Sequence, residues 1–543
     1  MESSEDSSSI ITSLEQLPKE MSYLEMMNFK RIYHRFEIIQ TPQNVKCFVC
    51  GMSCNGKNVL KCNDCNRHCH EFCQDNVVSN CYNKNIQDDY QHSFEPSYLG
   101  GNCVVCGKSG GAICRCVWCS LLVHNACQPK LLNCCRQLMI KSSERTHYFI
   151  NEGKGVCVVC KKEICQEDGN SFHCIYCKES IHEKCCCDNL ERRCDCGKLG
   201  AYLIHPCEVI FKNRYLLKIP LEQPMFFIIN ELSGGKRSKE VISLLGSYFH
   251  PMQFINIEEL TIKASTISQN NDWYSKEKKP IIVICGGDGS VESCLDQFGP
   301  FVTYLLLPYG TGNDLSLSLG YSPSTTLAEF EANPIDLLMR RIKDNRIQID
   351  RWKVTKATYP GDSTFFDFRH FTNYLSIGID AAIAQSFSEK REIGPCGRFI
   401  NKCKYAMSVT ALLDDSCKNI HNKIIVEVDG EEIDLPPMDC LIFQTTLTCY
   451  GGQTLWKNPV GFKEQRMDDG MLEIMYIRNI AELGSVSIGV STPTPLAQGK
   501  DIIITLKPNF VLPLQTDGEP FLLENSVLHF YCESHNTFVS SHY

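Results

Sequence analysis

The amino-acid sequence predicts a multidomain protein in which three small zinc-stapled modules precede an α/β doubly wound domain and a β-rich domain. Three observations carry this. Of 35 cysteines, 27 fall at or before Cys207, and the remaining 336 residues hold only eight. Beyond residue 220, wholly apolar runs end abruptly in small residues, the pattern of buried parallel strands. Beyond residue 420, stretches such as Ile424–Val428 before Asp429-Gly430, and Ile502–Leu506, read as strands with turns between them. With 543 residues, 43% of them hydrophobic, the chain has material for several cores. A formal net charge of -9 with 22% charged residues excludes the basic excess of a nucleic-acid carrier or a polybasic membrane anchor. The apolar runs Ile281–Cys285 and Tyr304–Leu307 are far shorter than the ~18–20 residues of a membrane span, so a soluble protein is expected. Residues 1–33 begin acidic and serine-rich, the reverse of a secretory leader, and are read as a disordered tail in the cytoplasm.

In a reducing compartment, dense cysteines point to metal rather than disulfides. Cys47, Cys50, Cys62, Cys65, His70 and Cys73 form a pattern that recurs as Cys103, Cys106, Cys116, Cys119, His124 and Cys127, and again as Cys157, Cys160, Cys174, Cys177, His182 and Cys185. A Cys-x-x-Cys turn presents two thiolates to one tetrahedral zinc, whose borderline softness favours sulfur and imidazole. With His34 and Cys81 the first module (34–81) holds eight ligands, hence two zinc ions with interleaved sets. One set is Cys47, Cys50, His70 and Cys73; the other is His34, Cys62, Cys65 and Cys81. This arrangement resembles the C1 domain of protein kinase C and diacylglycerol kinases. The shared core also fits a PHD finger, but the first module lacks that finger's final Cys-x-x-Cys pair. Equivalent outer ligands are His92 with Cys135 in the second module (92–135), and His147 with Cys194 in the third (147–196); Cys134 and Cys196 are alternatives. C1 domains that bind diacylglycerol carry a proline and a Gln-Gly pair where this chain has Asn44, Asn58 and Val59. The modules are therefore expected to fold on metal and dock without sensing that lipid, with Trp118, Leu121 and Leu122 available to a membrane or protein partner.

Farther on, Met225–Ile229 runs into Asn230, and Ile281–Ile284 into Cys285-Gly286-Gly287-Asp288-Gly289-Ser290, with a helical stretch from Val291. A buried strand, small residues and then a helix aim backbone N–H groups at phosphate. No Gly-x-x-x-x-Gly-Lys-Ser/Thr is present, which excludes a P-loop. On its own the Gly-Gly-Asp-Gly loop reads equally as a phosphate cradle or a tight turn. It has company: Asn230-Glu231-Leu232-Ser233-Gly234-Gly235-Lys236 upstream, and Leu307-Pro308-Tyr309-Gly310-Thr311-Gly312-Asn313-Asp314-Leu315 downstream.

This trio resembles the catalytic domain of diacylglycerol kinases. The likeness continues through Asp350-Arg351-Trp352, Asn373–Ala381, Tyr450-Gly451-Gly452, Asp468-Asp469-Gly470 and Leu514–Pro520. It implies a nucleotide-binding catalytic domain over 222–355 and an accessory catalytic domain over 356–535. It also implies an ATP-dependent kinase that phosphorylates the free hydroxyl of 1,2-diacylglycerol to phosphatidic acid, in lipid signalling. Such chemistry needs a cradle for ATP phosphates, magnesium to neutralise charge, and a group to take or orient the hydroxyl proton. By resemblance, Gly286, Gly287, Gly289 and Ser290 hold phosphates, Gly310, Thr311, Gly312, Asn313 and Asp314 close the opposite wall, and Asn230, Ser233, Gly234, Gly235 and Lys236 complete it. Asp288 is assigned to magnesium, the substrate hydroxyl or the loop amides. Asp517 and Glu519 resemble the family's catalytic acids, with Asp517 the expected base, although the residues alone read only as a hairpin turn. Asp468 and Asp469 resemble a magnesium-binding stretch.

The expected cofactors are ATP, Mg2+ and two Zn2+ per module. The expected partners are diacylglycerol in membranes, reached by peripheral recruitment from the cytoplasm, and proteins docking on the zinc modules, with no nucleic acid. Lys212, Arg214 and Lys218 are a basic cluster for anionic lipid. Three departures stand out: Glu231 and Leu232 replace the family's Pro-Lys pair, Ser290 its threonine and Tyr309 its leucine. They leave open a second reading, a catalytically silent zinc-module scaffold. A ceramide, sphingoid-base or NAD kinase fits less well, given Gly310–Leu315 and the zinc modules. No EF-hand pattern precedes the modules.

Overall fold

The computed structural model describes residues 29–30, 36–39, 59–63, 68–71, 74, 92, 94–97, 103, 105–106, 108, 111–116, 122–130, 139–140, 145, 147, 149–151, 154–165, 171–174, 176–186, 193–205, 209–210, 216–217, 223–231, 237–238, 240–246, 248–250, 253–261, 264, 279–310, 312–358, 364–389 and 417–542. The chain forms two compact units, one of Met1–Glu222 with Ile242–Gln253 and one of Gln223–Val241 with Phe254–Tyr543. Among the described residues no helix is long and apolar enough to cross a membrane.

In the first unit each cysteine-rich repeat has a three-stranded antiparallel sheet. The strands are β1 (Phe36–Ile39), β2 (Val59–Cys62) and β3 (His68–His70); then β4 (Phe94–Ser97), β5 (Ile113–Cys116) and β6 (Leu122–His124); then β7 (Phe149–Asn151), β8 (Ser171–Cys174) and β9 (Ser180–His182). The repeat in sequence is therefore a repeat in structure. Every middle strand ends on a ligand-type cysteine (Cys62, Cys116, Cys174) and every last strand on a histidine (His70, His124, His182). Segments this small bury little apolar surface, so their stability has to come from staples. Within the same unit, the Gln253 side chain accepts from Ile204 N (2.8 Å) and His250 N (3.1 Å) and donates to Tyr202 O (2.9 Å). His205 and His250, next to these bonds in the chain, are fully buried.

The second unit starts with four parallel strands: β10 (Met225–Ile229), β11 (Phe254–Asn256), β12 (Ile281–Gly286) and β13 (Thr303–Pro308), ordered β11-β10-β12-β13. Every residue of β10, β12 and β13 is buried, which is why these runs are apolar without alternation. The order reverses direction between β10 and β12, and at that switch the carboxyl ends of both strands leave a crevice. Asn230 and Gly286-Gly287 sit there. Helix α1 (Asp288–Phe298) follows β12, and α2 (Asp314–Ser318), α3 (Pro323–Ala332) and α4 (Pro334–Arg341) follow β13. The first turn of α1 opens at Asp288, three residues before the helical pattern begins in sequence, because extended Gly287 is its N-cap.

The chain then builds β14 (Asn345–Ala357), β15 (Phe366–Phe371), β16 (Tyr374–Gly378), α5 (Ile379–Glu389), β17 (Ile424–Val428), β18 (Glu431–Glu432), β19 (Cys440–Gln444), β20 (Leu472–Ile477), α6 (Ile480–Ser487), β21 (Thr494–Gly499), β22 (Asp501–Leu506), β23 (Val511–Thr516), β24 (Glu519–Glu524) and β25 (Val527–Ser540). Strand β25 pairs in parallel with β13 and antiparallel with β14 and β22. One ten-stranded sheet thus runs from the parallel strands into the β-rich region. A second, antiparallel sheet has the order β21-β20-β19-β16-β23-β24. Between the sheets lie Trp352, Phe371, Leu375, Ile377, Phe443, Ile474, Leu514 and Phe530. In β19, Leu441 and Phe443 face that core while Cys440 and Ile442 face a second one with Trp456, Leu483 and Val486. A strand covered on both faces needs apolar residues at every position, hence Cys440–Phe443 without a polar break.

Candidate active site

Two glycine loops meet backbone to backbone at the switch point. Gly310 N donates to Gly286 O (3.0 Å), and a Cβ on Gly310 would overlap Gly287 Cα. No residue but glycine fits that approach. Asn313, at φ 55° and almost fully buried, ties the second loop: its Oδ1 accepts from Gly310 N (3.2 Å) and its Nδ2 donates to Gly310 O (2.7 Å). The Ser290 hydroxyl, also buried, accepts from Asn230 Nδ2 at 2.9 Å and so links the ends of β10 and β12. Gly289 is exposed at the first turn of α1.

Asp288 points across to α2, accepting from Asp314 N (3.1 Å) and Leu315 N (3.3 Å). Burial pushes its carboxyl above the ordinary range; these amides and the Asn373 side chain pull back. A Cβ on Gly312 would come within 2.6 Å of Asp288 Oδ2, so that position too is small for Asp288's sake. Asp314 Oδ1 in turn accepts from Gly451 N (2.7 Å) and Gly452 N (3.2 Å), in a loop where Tyr450, Gly451 and Gly452 all have positive φ. Ser318 and Thr448 hydroxyls meet at 2.8 Å beside them.

Asp517 and Gly518, both at positive φ, are the two-residue turn of the β23–β24 hairpin. The turn serves a second purpose. Asp517 accepts from Thr372 N (2.8 Å), Asn373 N (2.9 Å) and Tyr374 N (2.9 Å). Burial and then the Glu292 carboxylate push its carboxyl well above the usual range, against those amides. Asn373 thereby touches Asp517 with its backbone and Asp288 with its side chain. Glu292, one turn along α1 from Asp288, accepts from the Thr372 hydroxyl and from buried Arg351 (3.2 Å), which also binds Asp296.

The structure thus gathers Asn230, Gly286, Gly287, Asp288, Ser290, Gly310, Gly312, Asn313, Asp314 and Asp517 in one place. Glu519 begins β24 and is exposed. Asp468 and Asp469 lie in another turn, where Asp468 pairs with Arg466 (2.9 Å) and Asp469 accepts from Met471 N (3.0 Å). Ser233, Gly234, Gly235, Lys236 and Thr311 lie outside the described residues, as do Lys212, Arg214, Lys218, Trp118 and Leu121. Sequence reasoning assigned no site role to Glu292, Arg351, Thr372, Asn373, Gly451 or Gly452. Arg351, Asn373 and the Tyr450-Gly451-Gly452 run were visible as motifs, whereas Glu292 and Thr372 left no signal, because their roles exist only through each other.

Among the described residues of the first unit three tetrads of donor atoms converge, each within 4.8 Å: Cys103, Cys106, His124 and Cys127; Cys157, Cys160, His182 and Cys185; and His147, Cys174, Cys177 and Cys194. Separations of 3.3 Å for Cys106 Sγ–His124 Nδ1, 3.3 Å for Cys177 Sγ–His147 Nδ1 and 3.8 Å for Cys174 Sγ–Cys194 Sγ match the edges of a tetrahedron with ~2.0–2.3 Å bonds. These donors suit zinc. In the third module both interleaved sets are present, and Cys194 rather than Cys196 is the converging donor. His34, Cys47, Cys50, Cys65, Cys73, Cys81, Cys119, Cys134 and Cys135 lie outside the described residues, so the expected sets that include Cys62, His70, His92 and Cys116 are described only in part.

Residues 224–342 match the diacylglycerol kinase catalytic domain, and 370–520 match the diacylglycerol kinase accessory domain. The chain carries both of the domains that make up the diacylglycerol kinase match. It is 24% identical to probable diacylglycerol kinase 3 of Caenorhabditis elegans, across 80% of this chain and 61% of that one. To mouse diacylglycerol kinase iota it is 26% identical, across 79% and 48%; to diacylglycerol kinase 2 of Arabidopsis thaliana, 30%, across 57% and 45%. The chain therefore spans about half the length of these diacylglycerol kinases. The two matched domains bracket the site described above: Asp288 and Asp314 belong to the catalytic match, Asn373, Gly451 and Asp517 to the accessory match.

Proposed function

We propose that this chain is an ATP-dependent diacylglycerol kinase that makes phosphatidic acid at a membrane surface. The observation that carries the reading is the chain of contacts Asp314–Asp288–Asn373–Asp517, which sets three carboxylates around the paired glycine loops. In this reading the amides of Gly286, Gly287 and Gly289 and the loop of Gly310–Asn313 cradle the triphosphate, with Asn230, Ser290 and 233–236 completing the cradle. Asp288 and Asp314 are the carboxylates that would hold a magnesium-nucleotide, whose cation neutralises charge on the transferring phosphoryl group.

Asp517 is the general base. An ionised carboxylate has about four acceptor positions, and three are filled by the 372–374 amides, leaving one for the substrate hydroxyl. The raised carboxyl fits a group that must take a proton near neutral pH. As Asp517 removes that proton, the hydroxyl oxygen forms its bond to the γ-phosphorus and the bond to ADP breaks. Glu519, exposed beside it, is placed to meet the lipid headgroup, and Asp468 and Asp469 support the fold. The first unit carries C1-type modules holding two zinc ions each, which dock the protein peripherally on membranes or protein partners.

Phosphate transfer from labelled ATP to diacylglycerol in mixed micelles, with magnesium, tests the reading. Wild-type protein labels diacylglycerol in preference to ceramide or sphingosine, and Asp288→Ala and Asp517→Asn each lower the rate more than about 100-fold. Folded, zinc-loaded protein that labels no lipid sinks it.

A further inference from the structure

Strands β14 and β25 pair along their whole lengths, with one register shift between Arg351 and Trp352. Arg351 pairs with Ser534 and Trp352 with Cys532, so Glu533 is an extra residue on β25. In a regular strand, residues 532 and 535 face opposite sides of the sheet. The extra residue cancels that alternation and turns Cys532 and His535 to the same side. Glu533 itself engages different partners, bound by Lys353 Nζ (3.0 Å) and His370 Nε2 (3.0 Å).

Asp350 pairs directly with His535 and presents its carboxylate to that same side. The Cys532 sulfur, an Asp350 oxygen and a His535 ring nitrogen all lie within 4.8 Å of one another. Asp350 is fully buried and its Oδ2 accepts from Gly470 N at 2.6 Å, which orients the other oxygen; that oxygen lies 2.5 Å from His535 Nδ1. Cys532 is half-buried, and the His535 side chain is 53% exposed, so the cluster opens to solvent on the histidine side.

We propose that Asp350, Cys532 and His535 form a binding site for a borderline divalent transition cation, zinc foremost, distinct from the cysteine tetrads of the first unit and from the candidate active site. A thiolate, an imidazole and a carboxylate are the donor mixture zinc accepts, whereas magnesium and calcium take oxygen donors. Three protein ligands leave a fourth position for water at the exposed mouth. Binding replaces the Asp350–His535 hydrogen bond with metal bonds to an Asp350 oxygen, His535 Nδ1 and the Cys532 sulfur; the ring keeps its proton on the exposed Nε2 by exchange with solvent, and the Cys532 thiol proton is released to solvent. Gly470 N holds the carboxylate from behind as an outer-shell donor.

The test is peptide-resolved alkylation of Cys532 by mass spectrometry at fixed pH on the 543-residue chain, supplied with zinc sufficient only for its cysteine–histidine tetrads, with and without further added zinc. The readout does not depend on catalysis. Added zinc is expected to slow alkylation of Cys532 about tenfold, with excess magnesium having no effect. The His535→Ala variant, altered at an exposed side chain that the fold tolerates, is expected to lose that protection, as is Asp350→Asn if it folds. Zinc that leaves Cys532 reactivity unchanged overturns the site, as does protection that survives in His535→Ala, and protection by magnesium alone overturns the choice of cation.

Discussion

At the residue scale, the candidate site is governed by where carboxylates find backbone amides. Asp288, Asp314 and Asp517 each accept at least two N–H groups, so each is oriented before any ligand arrives. Glu292 is different: it binds side chains, the Thr372 hydroxyl and Arg351. Thr372 donates its backbone N–H to Asp517 and its hydroxyl to Glu292, so the two acids share one anchor. Glu292 is the largest charge contribution holding the Asp517 carboxyl up, after burial. Removing that negative charge makes ionised Asp517 easier to form. Glu292→Gln is therefore expected to move the acidic limb of the rate–pH profile to lower pH while costing less than about tenfold in rate on the alkaline plateau. An unmoved limb separates Asp517 from the base role or Glu292 from its influence.

At the element scale, α1 acts as a strut whose first turn reaches α2 through Asp288 and whose second reaches the β15–β16 connection through Glu292 and Thr372. Its seat depends on the two glycine loops touching through backbone. Since neither Gly287 nor Gly310 can move a side chain out of the way, Gly310→Ala is expected to cost about 3 kcal/mol, the upper end for overpacking, read as a lowered denaturation midpoint. Much of this level was legible in the sequence. The apolar runs Met225–Ile229 and Ile281–Ile284 declared buried parallel strands, and Asp517-Gly518 declared a hairpin turn. The second use of that turn, as an acceptor for three amides from residues 372–374, was not legible, because it links positions some 145 apart in the chain.

At the scale of the whole molecule, the two units are stabilised by different physics. The first has small sheets and converging cysteine–histidine tetrads, the second a continuous pair of cores. A strong chelator is expected to abolish the melting transition of the first unit and leave that of the second within about 2 °C; calorimetry with and without chelator checks this. The units also respond oppositely to pH. In the first, burial beside His205 lowers the His250 pKa to about 3 from 6.5, so the unfolded chain binds the extra proton and stability is lost as pH falls below 6.5. In the second, burial raises Glu473 to about 8 from 4.5, so the folded form binds the extra proton and stability is lost as pH rises from 4.5 toward 8. Scanning the melting transitions across that range checks both signs, and Glu473→Gln is expected to flatten the second.

The sequence by itself determined the elements and the chemistry on offer: the repeated metal ligands, the buried strands, the glycine loops and the acids near them. Those follow from local rules of spacing, polarity and backbone freedom. Only the tertiary structure decided which acids meet. Strand β25 returns from the end of the chain to pair with both β13 and β14, and the hairpin at Asp517 is brought to the amides of 372–374. Contacts between residues more than a hundred positions apart depend on how sheets pack, and no local pattern in the chain records that packing.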